Sequence, residues 1–531
     1  MSPEAAIPAE KNKSPQNGVK QPWVRKELAG IAAPEADICL FLEGTYPYIS
    51  GGVSGWTHDL IKSHPHLTFT LISLVPPHFV GERKYDLPPN VIAQQDVKIQ
   101  SLEVGDRYLS EKKKKVFFEG LERPFLHLQS KGNIDDLKAI ISLMKETGVE
   151  LGEEILIHSE DAWKLIVRMY SASLGNASFL DFYWTWIGLI GGLYSILLGP
   201  LPKAKVYHSF CTGYAGLYLA RAAVETGRPA LVTEHGIYTN ERRIEIVSTE
   251  WIKERQSINL NIEKRRKERG LKDLWMDTFS SYSRITYQAA ELIITLHEGN
   301  QPLQIIDGAD PKKLRIIPNG IDIEAFANLP RDPSHPPTVA LIGRVVPIKD
   351  IKTFIRAIGY LKQSIPDVQA LIMGPNEEDI GYFEECKELV KSLDLEHVIT
   401  FTGKVNVRDY FPRIDIVALT SISESQPLSI LEAGAAGIPC VATSVGACSE
   451  LIFGRKQENP PLGAGGRIVP LANPLEIAKE MTTLLLDKHL WTKCSEAMRK
   501  RMKTYYNQAL QTQAYGQLYE QLMHEATVWQ G

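Results

Sequence analysis

Cysteine is scarce, with only Cys39, Cys211, Cys386, Cys440, Cys448 and Cys494 among 531 residues. The six are scattered, without Cys-x-x-Cys or a His/Cys cluster at zinc spacing, so neither a zinc module nor a disulfide scaffold is expected. Cys39, Cys211 and Cys440 sit in or beside apolar stretches, as small buried hydrophobes do, and a reducing compartment follows. An excess of charge of either sign is also missing. Lys and Arg number 59 against 63 Asp and Glu, for a net charge of −4 and a pI near 6.4. That leaves no global basic field to hold nucleic acid. Neither Asp-x-Asp nor His-x-x-x-His occurs. No metal is expected.

Residues 1–34 carry no apolar core of the kind a signal peptide needs, and their Pro, Ala, Lys and Asn content reads as a disordered tail. Long apolar runs are absent but for one. Phe182 to Leu201 is twenty residues without a charge, about the length that spans a bilayer. Asp181 and Lys203 bracket it without a basic bias, and no second span exists. It reads as a buried helix, broken near Gly191-Gly192 and ended by Gly199-Pro200, with a membrane helix or in-plane anchor as the alternative. The apolar fraction of 44% and charged fraction of 23% are ordinary for a globular chain, and exclude a largely disordered, collagenous or polytopic membrane protein.

From Asp37 the chain alternates short apolar strands with helical segments. Expected strands are Asp37–Leu42, Leu67–Val75, Ala204–His208, Ala230–Thr233, Leu292–Leu296 and Leu314–Ile317. Residues 105–200 break that rhythm and read as a helical insertion. Leu329 to Pro337 holds four prolines in nine residues and reads as a linker. Beyond it come Thr338–Ile342, Val368–Met373, Val398–Phe401, Ile416–Leu419, Cys440–Thr443 and Arg467–Val469. The expected fold class is therefore α/β, with two Rossmann-like domains whose parallel sheets face a cleft. The domains are expected at 35–328 and 338–505, joined by 329–337. A C-terminal helix at 506–531 can pack back on the first domain.

Chemistry is expected where these strands end. Arg344 follows the strand Thr338–Ile342 and Lys349 precedes a helix, so two cations beside a helix N-terminus make an anion site suited to a diphosphate. Glu424 lies in the loop after Ile416–Leu419, and Glu432 two turns into the helix that Pro427 starts. Carboxylates accept paired hydrogen bonds from vicinal diols. The intervening Ser425, Gln426, Pro427 and Leu428 surround free helix-start amides. The alternative is that Glu424 caps the helix and Glu432 is a solvated face residue. In the first half, Gly51-Gly52 opens a helix where backbone can approach a phosphate closely, and His235 ends the strand Ala230–Thr233 facing the cleft. The charged run Glu263–Arg269 is a solvated helix face or a docking patch.

Taken in order, Gly51-Gly52-Val53, Thr233-Glu234-His235-Gly236, Ile317–Asp322, Gly343–Asp350 and the Glu424/Glu432 pair resemble family 4 glycosyltransferases of the GT-B fold. More narrowly, FLEGTYPYISGGVSGW, VYHSFCTGYAGLYLA, LVTEHGIYTNER and SISESQPLSILEAGAAGIPCVAT resemble the PelF-type enzymes of Pel exopolysaccharide synthesis. The resemblance implies a UDP-sugar donor, a polysaccharide acceptor, retention of anomeric configuration, no cofactor and no metal. It implies that Arg344 and Lys349 hold the diphosphate, Glu432 the ribose and Glu424 the donor sugar. His235 would reach the sugar, Gly51 and Gly52 the phosphate or acceptor, and Val405 the base through its backbone. It also implies a cytoplasmic protein recruited by membrane-embedded synthase subunits, with residues 182–201 or 264–269 as contacts. A UDP-sugar epimerase, or a non-catalytic UDP-sugar-binding subunit of a synthase, are the alternatives.

Overall fold

The computed structural model describes residues 34–44, 46–173, 178–248, 270–332 and 334–528. The expected N-terminal tail, but for Pro34, and the charged run Glu263–Arg269 lie outside them. Among the described residues thirteen strands form two wholly parallel sheets. The first runs β3-β2-β1-β4-β5-β6-β7, from β1 (Ala36–Glu43), β2 (Phe69–Val75), β3 (Val91–Lys98), β4 (Ala204–Ser209), β5 (Ala230–Glu234), β6 (Leu292–Thr295) and β7 (Leu314–Ile316). The second runs β10-β9-β8-β11-β12-β13, from β8 (Thr338–Ile342), β9 (Gln369–Met373), β10 (Ile399–Gly403), β11 (Ile416–Leu419), β12 (Cys440–Thr443) and β13 (Gly466–Val469). Each is a doubly wound sheet, covered on both faces by helices. The alternation within β1 shows why the sequence is apolar throughout. Cys39 and Phe41 enter the core on one face, while Ile38, Leu40 and Leu42 enter the core on the other.

β3 has no counterpart among the expected strands. It is the edge of its sheet, and of its eight residues only Gln94 and Val97 are buried, so it lacks the apolar signature of a central strand. The insertion between β3 and β4 is helical, with helices Glu111–Leu128, Ile134–Thr147, Glu153–Leu156, Glu160–Ser173 and Phe179–Leu198. The helix Phe179–Leu198 runs unbroken through Gly191-Gly192 and stops at Gly199, which corrects the expected break. Its buried residues concentrate in the second half, whereas Leu180 and Trp184 are 62% and 64% exposed. Among the described residues no helix is long and apolar enough to cross a membrane.

The chain passes between domains twice, and the two passages are paired. Ile317 packs in the first domain, but Ile321, Ile323 and Phe326 pack in the core of the second. The first passage is therefore Pro318-Asn319-Gly320, upstream of the proline-rich 329–337 segment. That segment is itself docked on the second domain, through Arg331 Nη2 to Asp415 Oδ1 at 2.6 Å and Asp332 N to the Pro412 carbonyl at 3.0 Å. The return passage follows the helix Lys488–Tyr505. Ile321 N donates to the Tyr506 carbonyl and Gln508 N to the Ile321 carbonyl, at 2.8 and 3.0 Å. A Cβ on Gly320 would sit 2.5 Å from Gln508 Cα, so only glycine lets the passages lie this close.

The final helix, Gln508–Val528, then covers the first sheet. Tyr515, Tyr519 and Leu522 are buried against Ile38, Leu40 and Val206. The Tyr519 hydroxyl meets His208 Nδ1 at 2.8 Å, and His208 Nε2 meets Thr233 Oγ1 at 2.9 Å. Thr233 Oγ1 also lies 3.1 Å from the Tyr515 hydroxyl. Burial holds the His208 imidazole well below its ordinary range, with His235 a lesser cause, so this dry network is built on a neutral ring.

Candidate functional site

In each sheet the strand order reverses beside the first strand, between β1 and β4 and between β8 and β11. Crevices at the carboxyl ends of such strand pairs are where open α/β sheets bind ligands. At the second switch point the loops after β8 and β11 are tied together. Thr420 Oγ1 donates to the Lys349 and Asp350 carbonyls at 2.9 and 3.0 Å, and Ile422 N donates to the Ile348 carbonyl at 2.9 Å. Asp350 adopts a left-handed conformation (φ 46°) and caps the helix Ile351–Ser364 through a bond from Thr353 N. That turn aims Lys349 across the switch point. Its ammonium lies 2.5 Å from Glu424 Oε1, which also accepts from Ser421 Oγ at 2.6 Å.

Glu424 is thus a loop residue bound to Lys349 and not a helix cap. The helix is Leu428–Ala436, with Pro427 as its N-cap and no side-chain cap, so it starts one residue later than expected. Its first amides, at Leu428 and Ser429, have no intrahelical acceptors. Beneath the loop, Gly446 (φ +48°) carries no Cβ, which would come within 2.3 Å of the Glu424 and Ser425 carbonyls. Ala447 N donates to that Ser425 carbonyl at 2.7 Å.

Glu432 is half-buried on this helix. Among the described residues no donor meets its carboxylate, and burial alone pushes its pKa up to about 7. A carboxylate partly desolvated in this way gains when a ligand supplies hydrogen-bond donors. Arg344 stands apart from Lys349. Its Nη1 donates to both carboxylate oxygens of Glu378, at 2.6 and 2.7 Å, and the pair is half-exposed. The two cations of the expected anion site are therefore each held by a glutamate, Lys349 by Glu424 and Arg344 by Glu378. Glu378 carries no signal in the sequence, since nothing local relates it to Arg344. Val405 follows β10, and its half-buried side chain packs on the second domain's core, leaving its backbone for contact.

The first domain meets this helix across the cleft. Gly51 is the N-cap of the helix Gly52–Lys62, and a Cβ on Gly52 would lie 3.6 Å from Leu428 Cδ1. Gly51, Gly52, Trp56, Gly320, Leu428 and Gln511 border an interdomain cavity of about 350 Å³. Arg344, Lys349, Glu424 and Glu432 do not line it. Gln426 Oε1 accepts from Asn319 N at 2.6 Å, and Asn300 Nδ2 donates to Ser425 Oγ at 3.4 Å. Ser425 and Gln426 thus hold the domains together. Gln426 Nε2 and Asn319 Oδ1 stay buried without a partner.

His235 follows β5 and packs edge-on to Trp56, with ring centroids 4.4 Å apart. Its Nε2 is buried and unpartnered, and burial lowers its pKa to about 4. It is therefore a neutral imidazole with a free position, able to hydrogen-bond but not to supply charge. Its neighbour Glu234 is fully buried, and burial raises its pKa to about 7 against bonds from Gln304, Tyr287, Tyr238 and Thr212. At the first switch point, sequence reasoning missed Glu43. Its carboxylate accepts from the Tyr238 hydroxyl at 2.8 Å and from Ala215 N at 3.1 Å, and lies 3.5 Å from Arg242 Nη2. The available signal was a lone acid closing an apolar strand.

Comparison with known proteins agrees with this architecture. The sucrose-phosphate synthase of Thermosynechococcus elongatus superposes with a TM-score of 0.56 at 16% identity, over 92% of this chain and all of that one. Anabaena HepE in complex with UDP gives a TM-score of 0.56 at 14% identity, over 91% of this chain and all of that one. The D-inositol 3-phosphate glycosyltransferase of Kineococcus radiotolerans is 29% identical over 206 residues, 35% of this chain and 47% of that protein. A UDP-Gal:alpha-D-GlcNAc-diphosphoundecaprenol alpha-1,3-galactosyltransferase of Escherichia coli is 26% identical over 284 residues, 49% of this chain and 64% of that protein. The chain spans under half the length of the D-inositol 3-phosphate glycosyltransferases it matches. The model of the group 1 glycosyl transferases matches residues 336–487, the second domain. The model described as a domain of unknown function, DUF3492, matches residues 36–312, so the chain belongs to that family and carries a group 1 glycosyl transferase domain after it.

Proposed function

We propose that this chain is a retaining glycosyltransferase that moves a hexose or N-acetylhexosamine from a UDP-sugar to a growing exopolysaccharide of the Pel type, without a metal. The observation that carries the reading is the second switch point, where Lys349, Glu424 and the unpartnered Glu432 surround an uncapped helix start facing Gly51-Gly52. The UDP bound by HepE and the UDP-galactose named for the Escherichia coli relative support the nucleotide class.

In this reading Glu432 accepts both ribose hydroxyls, which provide the partners its carboxylate lacks. The diphosphate lies against the Leu428 and Ser429 amides, with Lys349 and a swung Arg344 on it. As the bond from the anomeric carbon to the phosphate oxygen breaks, negative charge grows on UDP and positive charge on the sugar. The amides face the first from the start, and the cations meet it once they leave their glutamates. Glu424, released in part from Lys349, faces the sugar, and neutral His235 donates to one of its hydroxyls. The acceptor oxygen attacks from the face the UDP leaves. It bonds the anomeric carbon while its proton passes to the departing phosphate, so no protein nucleophile is needed. Such a protein works in the cytoplasm beside membrane-embedded synthase subunits.

The test is NMR of the protein with UDP-glucose, UDP-GlcNAc and UDP-GalNAc, with and without a saccharide acceptor, in EDTA. A new glycoside whose anomeric coupling matches the donor's supports the reading. Inversion, or interconversion of the sugars without transfer, rejects it.

A further inference from the structure

A second cavity, of about 540 Å³, opens in the first domain. It lies over the carboxyl ends of β3, β4 and β5, beside the helices Phe179–Leu198, Tyr238–Ser248 and Leu271–Ala289. Its walls are aromatic, with Trp184, Tyr214, Tyr238, Trp275 and Phe279, and its polar groups are Gln100, Arg242 and Glu245. Volume and lining are those of a small-molecule site, mostly apolar with a few convergent polar groups. Trp184 is 64% exposed there, a large apolar surface left in water.

The cavity is built. Glycine inside a helix costs about 1 kcal/mol relative to alanine, yet the helix Phe179–Leu198 has Gly188 on the cavity wall and Gly192 behind the wall residue Tyr214. A Cβ on Gly192 would come within 2.4 Å of the Tyr214 hydroxyl, and one on Gly188 within 3.3 Å of the Trp275 ring. Gln100 is held in the left-handed region (φ 64°), with its Nε2 donating to the Gly188 carbonyl at 2.9 Å. A non-glycine residue kept there is strain that the surroundings impose.

The one cation and one anion that line the wall, Arg242 and Glu245, offset each other. Arg242 Nη1 donates to Glu245 Oε2 at 2.6 Å, its Nη2 lies 3.5 Å from Glu43 Oε1, and its guanidinium covers the Tyr238 ring at 5.0 Å. An anion would find no net attraction, and a wholly apolar ligand would strip water from Arg242 and Glu245 without return. A pyranose meets both demands, since its C–H face lies flat on indole and phenol rings while its rim hydroxyls donate to Glu245 and accept from Arg242.

We propose that this cavity is a saccharide subsite that holds the acceptor chain beyond the residue being extended. The placement rests on the glycosyltransferase reading; saccharide binding itself does not. Tyr238 is three residues past His235, hence at most about 11 Å from it along the chain, so a chain seated here reaches the cleft within a few sugar units.

The experiment titrates the full chain with N-acetylchitotetraose, cellotetraose and maltotetraose, following tryptophan fluorescence and heat, with UDP titrated separately. The subsite predicts that at least one tetrasaccharide perturbs the fluorescence and binds. Trp184→Ala and Arg242→Ala should each weaken that binding tenfold or more while UDP affinity stays within twofold. Because Trp184 is exposed, its variant keeps the fold, which circular dichroism checks. Binding to none of the three, or binding unchanged in both variants, overturns the subsite. Tetrasaccharide binding by a protein that neither binds UDP nor transfers sugar would uphold the subsite and reject the glycosyltransferase reading.

Discussion

Lys349 and Glu424, 75 residues apart, are brought to 2.5 Å from each other at the switch point of the second sheet. The ammonium expected to hold a diphosphate and the carboxylate expected to face a sugar are one ion pair without ligand. Both are mostly buried, at 22% and 13% exposure. A donor that binds here must share or displace that bond, which primes both groups and costs part of the affinity.

Lys349→Ala removes the cation and strands Glu424 beside Ser421. We expect UDP affinity to fall by about 1.5–3 kcal/mol, the worth of a hydrogen bond to a charged group, with the fold intact. Calorimetry and a melting curve check both.

Glu378→Ala has the opposite sign. Its pair with Arg344 is half-exposed, so losing it costs about 0–1 kcal/mol of stability. The freed guanidinium should tighten UDP binding several-fold. An unchanged or weaker affinity would mean that Arg344 does not serve the diphosphate.

Glu432 predicts a proton signature. Its pKa, raised to about 7 by burial, leaves it largely protonated at pH 6. Ribose hydroxyls favour the carboxylate, so binding should release a proton, and affinity should rise with pH through 6 to 7. UDP-glucose is the ligand of choice, because its diphosphate does not titrate in that range. Calorimetry in buffers of different ionisation heat reads the release, which Glu432→Gln should abolish.

The buried histidines should cost the fold stability below pH 6.5, in opposition to Glu234 and Glu432, whose values near 7 favour the fold as pH falls. Burial lowers His208, and brings His235 and His297 to about 4. Below the unfolded value near 6.5 these three positions bind more protons in the unfolded chain, so the stability they give is present above that pH and is lost as pH falls towards 4. Each unit of displacement is worth about 1.4 kcal/mol. Melting temperature from pH 7.5 to 4.5 should fall more steeply in Glu432→Gln, which lacks one opposing acid, than in the parent, and Tyr519→Phe, which leaves His208 Nδ1 without its hydroxyl, should lower stability by about 1–3 kcal/mol at neutral pH.

The sequence was most legible where burial is two-sided. Strands such as Thr338–Ile342 and Ile416–Leu419 are apolar runs because both faces are covered, and the structure has them at those residues. The edge strand β3 escaped because its outward residues are polar. Local order carried Gly51, His235, Lys349 and Glu424 to strand ends, where a ligand can be met. What stayed invisible was side-chain pairing across distance. Nothing near Arg344 announces Glu378, and nothing near Gly320 announces Gln508. The helix Phe179–Leu198 misled in the same way, since its glycines look like a break in sequence and prove to be room for Tyr214 and Trp275. Such space is a tertiary property.

The central claim is that the second switch point binds a UDP-sugar through Lys349 and Glu432. Isothermal titration of the full chain with UDP, against ADP, and of its Lys349→Ala and Glu432→Ala variants tests it most directly. The account predicts selective UDP binding that EDTA leaves unchanged and that both substitutions weaken at least tenfold. A folded protein that ignores UDP, or variants that bind it as the parent does, would contradict it.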